Sequence, residues 1–150
     1  MTTTAPEAKA RIIALLQAWP ALSAVTIQPK GPEREGDVHP EMVFLGRIRG
    51  EQDWSSLGNR QRSETYTIDL FIRTWVAQAG TTELDLDTRC WAIFAATADA
   101  LRSDPGLTGL LDGNVQVKTF EQDSVPTLEP IGWRGWLDAQ LLVTAHVRRT

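Results

Sequence analysis

The sequence predicts a two-layer α+β sandwich: a mostly antiparallel sheet of four or five strands, two main helices on one face, and a protruding β-hairpin. Residues 64–76 (ETYTIDLFIRTWV) place Tyr66, Ile68, Leu70, Ile72 and Val76 on one side at period two. Thr65, Thr67, Asp69 and Arg73 fall on the other, joined by Phe71 and Trp75. Such a run of β-branched and aromatic residues is a strand inside a sheet. Two further segments carry a single apolar stripe at helical spacing, so each needs one apolar partner. Their order among the strands, α-β-β-β-α-β-β, suits helices packed against one sheet.

The first helix is expected from about Pro6 to Ala18. Thr4 with Glu7 has the spacing of a capping box, and Pro6 sits where its missing N–H costs nothing. Ala8, Ile12, Leu15, Leu16 and Trp19 form the stripe, and Pro20 ends it. A short strand over Val25–Gln28 follows. Residues 28–40 (QPKGPEREGDVHP) read as an exposed loop because of their prolines and glycines. Glu41–Arg49 resumes as a strand whose two faces are both partly apolar, which implies cover on both sides or contact with another copy. Gly50–Ser63 reads as a second polar loop, so 41–49 and 64–76 form a hairpin with a long arm.

After a turn over 77–82, a second helix is expected over about Leu84–Arg102, with Thr82 and Asp85 as another possible capping box. Leu86, Cys90, Ile93, Phe94, Thr97 and Leu101 make its stripe, and the alanines beside them let it lie close to a sheet. Leu107–Asp112 reads as one more helical turn. Asn114–Phe120 reads as a strand, Glu121–Gly132 as a third loop, and Gly135–Arg148 as the closing strand. In that last strand Leu137, Ala139, Leu141, Val143, Ala145 and Val147 alternate with polar residues.

A chain of 150 residues is the size of one domain, and 1–150 is read as a single one. Its formal charge of −4 argues against a nucleic-acid-gripping face, which needs clustered Lys and Arg. One cysteine, Cys90, cannot form an internal disulfide. The opening residues lack the basic and apolar regions of a signal peptide, and no run reaches the roughly eighteen apolar residues of a membrane span. The expectation is a soluble protein made in a cytoplasm, with no membrane partner.

Motifs that carry chemistry are scarce. His39 and His146 have no Cys or carboxylate at ligand spacing, so they read as solvated histidines. Glu83, Asp85 and Asp87 lack the glycine and terminal glutamate of a calcium loop, and helix N-termini attract acids anyway. Cys90 lies on an apolar stripe and reads as core. No nucleophile elbow, phosphate loop, dinucleotide fingerprint or zinc-protease motif occurs. No catalytic residue, cofactor or metal is expected, and the chain is read as a non-enzyme.

The tryptophans say more. There are six, against one tyrosine. Trp19, Trp75 and Trp91 suit a core or its edge. Trp54 and Trp133 fall in expected loops, and Trp136 on the polar face of the last strand. Either the loops fold back over them or they face a partner, as interface tryptophans do.

Five stretches then carry a likeness: the approach and strand Arg60-Gln61-Arg62-Ser63-Glu64-Thr65-Tyr66-Thr67-Ile68, then Val76-Ala77-Gln78-Ala79-Gly80, the acid-started helix DLDTRCWAIFAATADALRSDP, Gly113-Asn114-Val115, and the closing strand from Gly132-Trp133-Arg134-Gly135-Trp136. Over residues 5–148 this layout resembles the tail terminator (tail completion) proteins of long-tailed bacteriophages and prophages. The resemblance lies in layout and in the strand–helix–strand core. It implies a virion protein without an active site, assembled as a ring, typically a hexamer, on the head-proximal end of a finished tail tube. Its partners would be further copies of itself, the tail-tube protein and a head-closure or neck protein, with DNA passing through the lumen without specific binding. Its place would be the neck region of the virion, after synthesis in the host cytoplasm. Candidate interface residues are Trp54, Arg60, Arg62, Trp75, Trp133, Arg134 and Trp136. Rival readings are a head-closure or other neck protein, a non-viral protein-binding module, and a small hydrolase with an unrecognised site.

Overall fold

The computed structural model describes residues 3–31, 41–53, 61–76, 83–127 and 132–148. Helix α1 spans Ala5–Gln17 and is followed by a 3₁₀ turn at Pro20–Leu22 and strand β1 at Thr26–Gln28. Strands β2 (Glu41–Asp53) and β3 (Gln61–Val76) precede helix α2 (Glu83–Ser103), and β4 (Asn114–Thr127) and β5 (Gly132–Arg148) complete the chain. The five strands form one sheet in the order β1-β2-β3-β5-β4. Only β1 and β2 pair in parallel; the other neighbours are antiparallel. The expected α+β class, element order and two-helix layer are therefore present.

Period-two alternation decides the two faces. On β3, Tyr66, Ile68, Leu70 and Ile72 are buried, and on β5 so are Leu137, Ala139, Leu141, Val143 and Ala145. Cover comes from Ala8, Ile12, Ile13 and Leu16 of α1 and Leu86, Cys90, Ile93, Ala100 and Leu101 of α2. Helix α2 lies over β3, β5 and β4, and α1 lies beside it toward β1. Both helices thus occupy one face, and burial of their stripes, at roughly 25 cal/mol per Å² of apolar surface, drives the layer together.

The strands are longer than composition implies. Gly50–Asp53 and Ser63, expected as loop, continue the β2–β3 hairpin from Gly50↔Tyr66 to Asp53↔Ser63, and Gln61 and Arg62, also expected as loop, are strand through their pairing with β5. On its other side β3 is paired by β5 along its whole length, from Gln61↔Arg148 to Val76↔Trp133. Residues 121–127 are likewise strand, not loop. Pro126 falls in β4, the last strand in the sheet order, and edge strands are where proline is accommodated in a sheet. A bulge at Lys118, between the pairs Val117↔Leu141 and Thr119↔Gln140, changes which parity faces the helices. Val115 and Val117 face them before it, Phe120 and Gln122 after it.

Two local expectations are corrected. Thr4 makes no capping hydrogen bond within α1, and Glu7 instead pairs with Arg11 one turn on. The Thr4 N–H and hydroxyl both donate to Glu64 Oε1 of β3, at 2.7 and 2.6 Å. A carboxylate distant in sequence therefore caps the helix, where the dipole favours it. The second possible box, at Thr82, lies outside the described residues. Leu107–Asp112 is not a helical turn: Leu107 and Thr108 have φ of 51° and 55°, followed by Gly109 at 82°. Asp104 holds this left-handed run, accepting from the Thr108 N–H at 2.8 Å and its hydroxyl at 2.7 Å.

Candidate functional site

The sheet has a second face that neither helix covers. Odd-numbered residues of β3 and even-numbered residues of β5 point to it, and from Thr67 to Trp75 and from Trp136 to Thr144 these are half-buried rather than fully exposed. Its centre is aromatic. Phe44 and Phe71 are directly paired across β2 and β3, with ring centroids 5.1 Å apart. The Arg73 guanidinium sits over both rings, 5.6 Å from Phe44 and 5.3 Å from Phe71. It also donates to Asp138 Oδ1 at 2.7 Å and to the Ile72 carbonyl at 3.0 Å.

Stacking of a cation on a ring contributes about 0.5–1 kcal/mol where solvent reaches it, and a half-exposed ion pair about as much or less. The consequence is positional more than energetic. Arg73 is held by four partners, so a protein docking here would lose little side-chain freedom in ordering it. Trp136 lies opposite Arg73, and Trp75 opposite Arg134, so one end of the face gathers two tryptophans and two arginines. Beyond Phe71 the face turns acidic. A depression of about 370 Å³ is lined by Asp69, Asp138, Glu121, Gln140 and Thr119.

The residues expected at an interface are only partly brought together. Trp75, Arg134 and Trp136 share the open face, with Arg134 exposed and both tryptophans half-buried. Trp133 and Arg62, expected in loops, are strand residues; Trp133 pairs with Val76 and Pro126, and Arg62 with Val147. Trp54 and Arg60 lie outside the described residues. Phe44, Phe71, Arg73 and Asp138 were not among the candidates. The odd-parity aromatics in β3 were a visible signal, whereas the Arg73–Asp138 link joins β3 to β5 and has no sequence signature.

A second aromatic group lies at the sheet's edge, on the helix side. Trp91 packs edge-on against Phe94 and Phe120, centroids 5.6 and 5.3 Å away. Trp91 remains 38% exposed and Phe120 56%. Trp91 is thus at the rim, not in the core.

Cys90 is buried, and its thiol lies 3.1 Å from Thr74 Oγ1. Burial pushes the thiol pKa up, with the Thr74 hydrogen bond opposing, so the protonated, unreactive form is favoured. His146 is exposed and its Nδ1 meets Ser63 Oγ at 3.1 Å; His39 lies outside the described residues. Among the described residues no group of His, Cys, Asp or Glu is placed to hold a metal ion, and no helix is long and apolar enough to cross a membrane. The chain matches no protein-family model and no curated protein.

Proposed function

We propose that this chain is a structural assembly protein of the tail-terminator kind. Copies of it form a ring, a hexamer in the resembling family, on the head-proximal end of a phage tail tube. The ring ends tube growth and offers a surface to head-closure or neck proteins, and DNA passes through its lumen ungripped.

The observation that carries this is the open face of the sheet. Phe44, Phe71, Arg73, Trp75 and Trp136 make a pre-ordered aromatic and cationic surface of the composition found at protein–protein hot spots. A net charge of −4 is in keeping with a lumen that DNA traverses without binding. The ring, the tube and the virion location rest on the likeness in layout, and a head-closure or other neck connector is the alternative.

The deciding experiment adds the purified protein to polymerising tail-tube protein from the same genome. Short tubes with the protein at one end are the expected result. Unrestricted tubes, with the protein bound instead to head or portal fractions, would favour the neck connector. Binding to neither would remove both readings.

A further inference from the structure

Among the described residues the sheet has two stretches of strand edge without a strand partner, at opposite sides. β4 is the last strand in the order, and β1 pairs only with Met42–Phe44, so the outer edge of β2 beyond Phe44 has no strand partner among the described residues. On the β4 edge Phe120 protrudes, 56% exposed, on the helix side. On the same side of the β2 edge a cleft of about 230 Å³ opens beside the start of α1, lined by Ala5, Ile48, Gly50 and Tyr66 among others. A space of about 150 Å³ is enough to hold a benzene ring. One edge therefore carries a half-exposed ring, resting on Trp91 and Phe94, and the other a cleft large enough to take it.

Antiparallel addition of β4 to β2, with Phe120 set opposite Gly50, fixes the pairs on either side of it, and the contact ends short of the β2 bulge and of Met42–Phe44, where β1 holds the edge. Arg49 then faces Glu121, and Glu51 falls beside Thr119 and Lys118. All of these charged residues are exposed. The match extends to the faces. Gly50 pairs with Tyr66 and Phe120 with Ala139, both on the helix side, while Arg49 pairs with Thr67 and Glu121 with Asp138, both on the open side. Gly50 has no side chain to block the approach, and an aromatic beside an edge glycine is a favoured cross-strand arrangement.

We propose that copies of this chain join edge to edge, β4 of one against the outer edge of β2 of the next, with Phe120 seated in the cleft at Gly50. The strand directions allow it: β2 and β4 are antiparallel within one sheet, so a neighbour turned about an axis along the strands meets β2 in the required sense. The contact is heterologous, using different patches on its two sides, and repetition of such a contact closes a ring when the turn permits. It supplies the subunit contact for the ring proposed above but stands on the two edges alone.

The test uses full-length chain with Cys90→Ser, carrying Arg49→Cys and Glu121→Cys together. Mild oxidation is expected to give a ladder of covalent multimers on a non-reducing gel, absent from either single variant and weak in the off-register pair Arg49→Cys with Lys118→Cys. Separately, Glu121→Arg and Arg49→Glu should each weaken association by about tenfold or more in light scattering, and the two together should restore it. Phe120→Ala should melt near the parent temperature yet associate more weakly. A monomer at every concentration, an equally strong off-register ladder, or association indifferent to charge reversal and to Phe120→Ala would overturn the proposal. A single dimer band from Glu121→Cys alone would overturn it in favour of a β4–β4 pair. A correct ladder in a protein that fails to cap tubes would leave this contact standing and reject the tail-terminator function. Capped tubes without the ladder would do the reverse.

Discussion

Glu64 is only 2% exposed, yet it carries a carboxylate. Its Oε1 accepts both donors of Thr4, and Tyr66, whose oxygen lies 3.0 Å from Thr4 Oγ1, is left to donate to that hydroxyl. Burial pushes the Tyr66 phenol pKa up and the Glu64 charge adds to the rise, so the phenol keeps its proton. Glu64→Ala strands these donors and should destabilise the fold by about 3 kcal/mol in urea titrations. Glu64→Gln keeps an acceptor and should recover part of that. A loss below about 0.5 kcal/mol for the alanine variant would mean the carboxylate does not hold α1 to the hairpin. Asp104 acts locally. The Thr108 backbone and side-chain hydrogen bonds, with Arg11 nearby, lower its pKa. A lowered pKa in the folded state contributes stability above the ordinary aspartate value, which is lost as pH falls through the lowered one. Asp104→Ala should therefore melt about 2–4 °C below the parent near pH 7. As pH falls through that lowered value the two curves should converge; a gap that persists once the carboxyl is protonated would assign the effect to packing.

At the scale of elements, α2 lies close to the sheet because Gly135 offers no side chain. A Cβ there would meet Thr74 Oγ1 at 2.6 Å, Cys90 Sγ at 3.1 Å and Leu86 Cδ2 at 3.2 Å. Gly135→Ala should destabilise by about 1–3 kcal/mol through overpacking, and Gly135→Ala with Cys90→Ala should recover some of it. Additive losses would show that the helix does not bear on this point. The elements that the sequence revealed are those whose apolar period is unbroken, such as β3 from Tyr66 to Ile72 and α2 from Leu86 to Leu101. The strand ends at Gly50–Asp53 and Glu121–Thr127 were hidden because their residues are polar or turn-forming; pairing partners far along the chain make them strand. Leu107–Asp112 was misjudged because Asp104 captures the Thr108 N–H before a helix can use it. The site followed the same rule. Phe71 and Trp75 stood out by their parity, while Phe44, Asp138 and Phe120 take their meaning from cross-strand neighbours and from the bulge at Lys118.

For the whole molecule, two electrostatic effects of opposite sign act on association, and their ranges separate them. Each copy carries a formal charge of −4, so copies repel over distances comparable to a protomer. That repulsion is screened early, since the Debye length falls from about 30 Å at 0.01 M salt to about 8 Å at 0.15 M. Pairs such as Arg49 with Glu121 across an edge contact act within about 4 Å, and they weaken only as the Debye length approaches about 3 Å near 1 M. Association should therefore rise as salt increases from about 0.01 to 0.15 M and fall again toward 1 M, when followed by sedimentation velocity at fixed protein concentration. In Glu121→Arg the high-salt fall should vanish, because the short-range attraction is gone while the apolar contribution of Phe120 remains. A monotonic rise in the parent protein would show that apolar burial alone joins the copies and that the opposed charges of the two edges play no part.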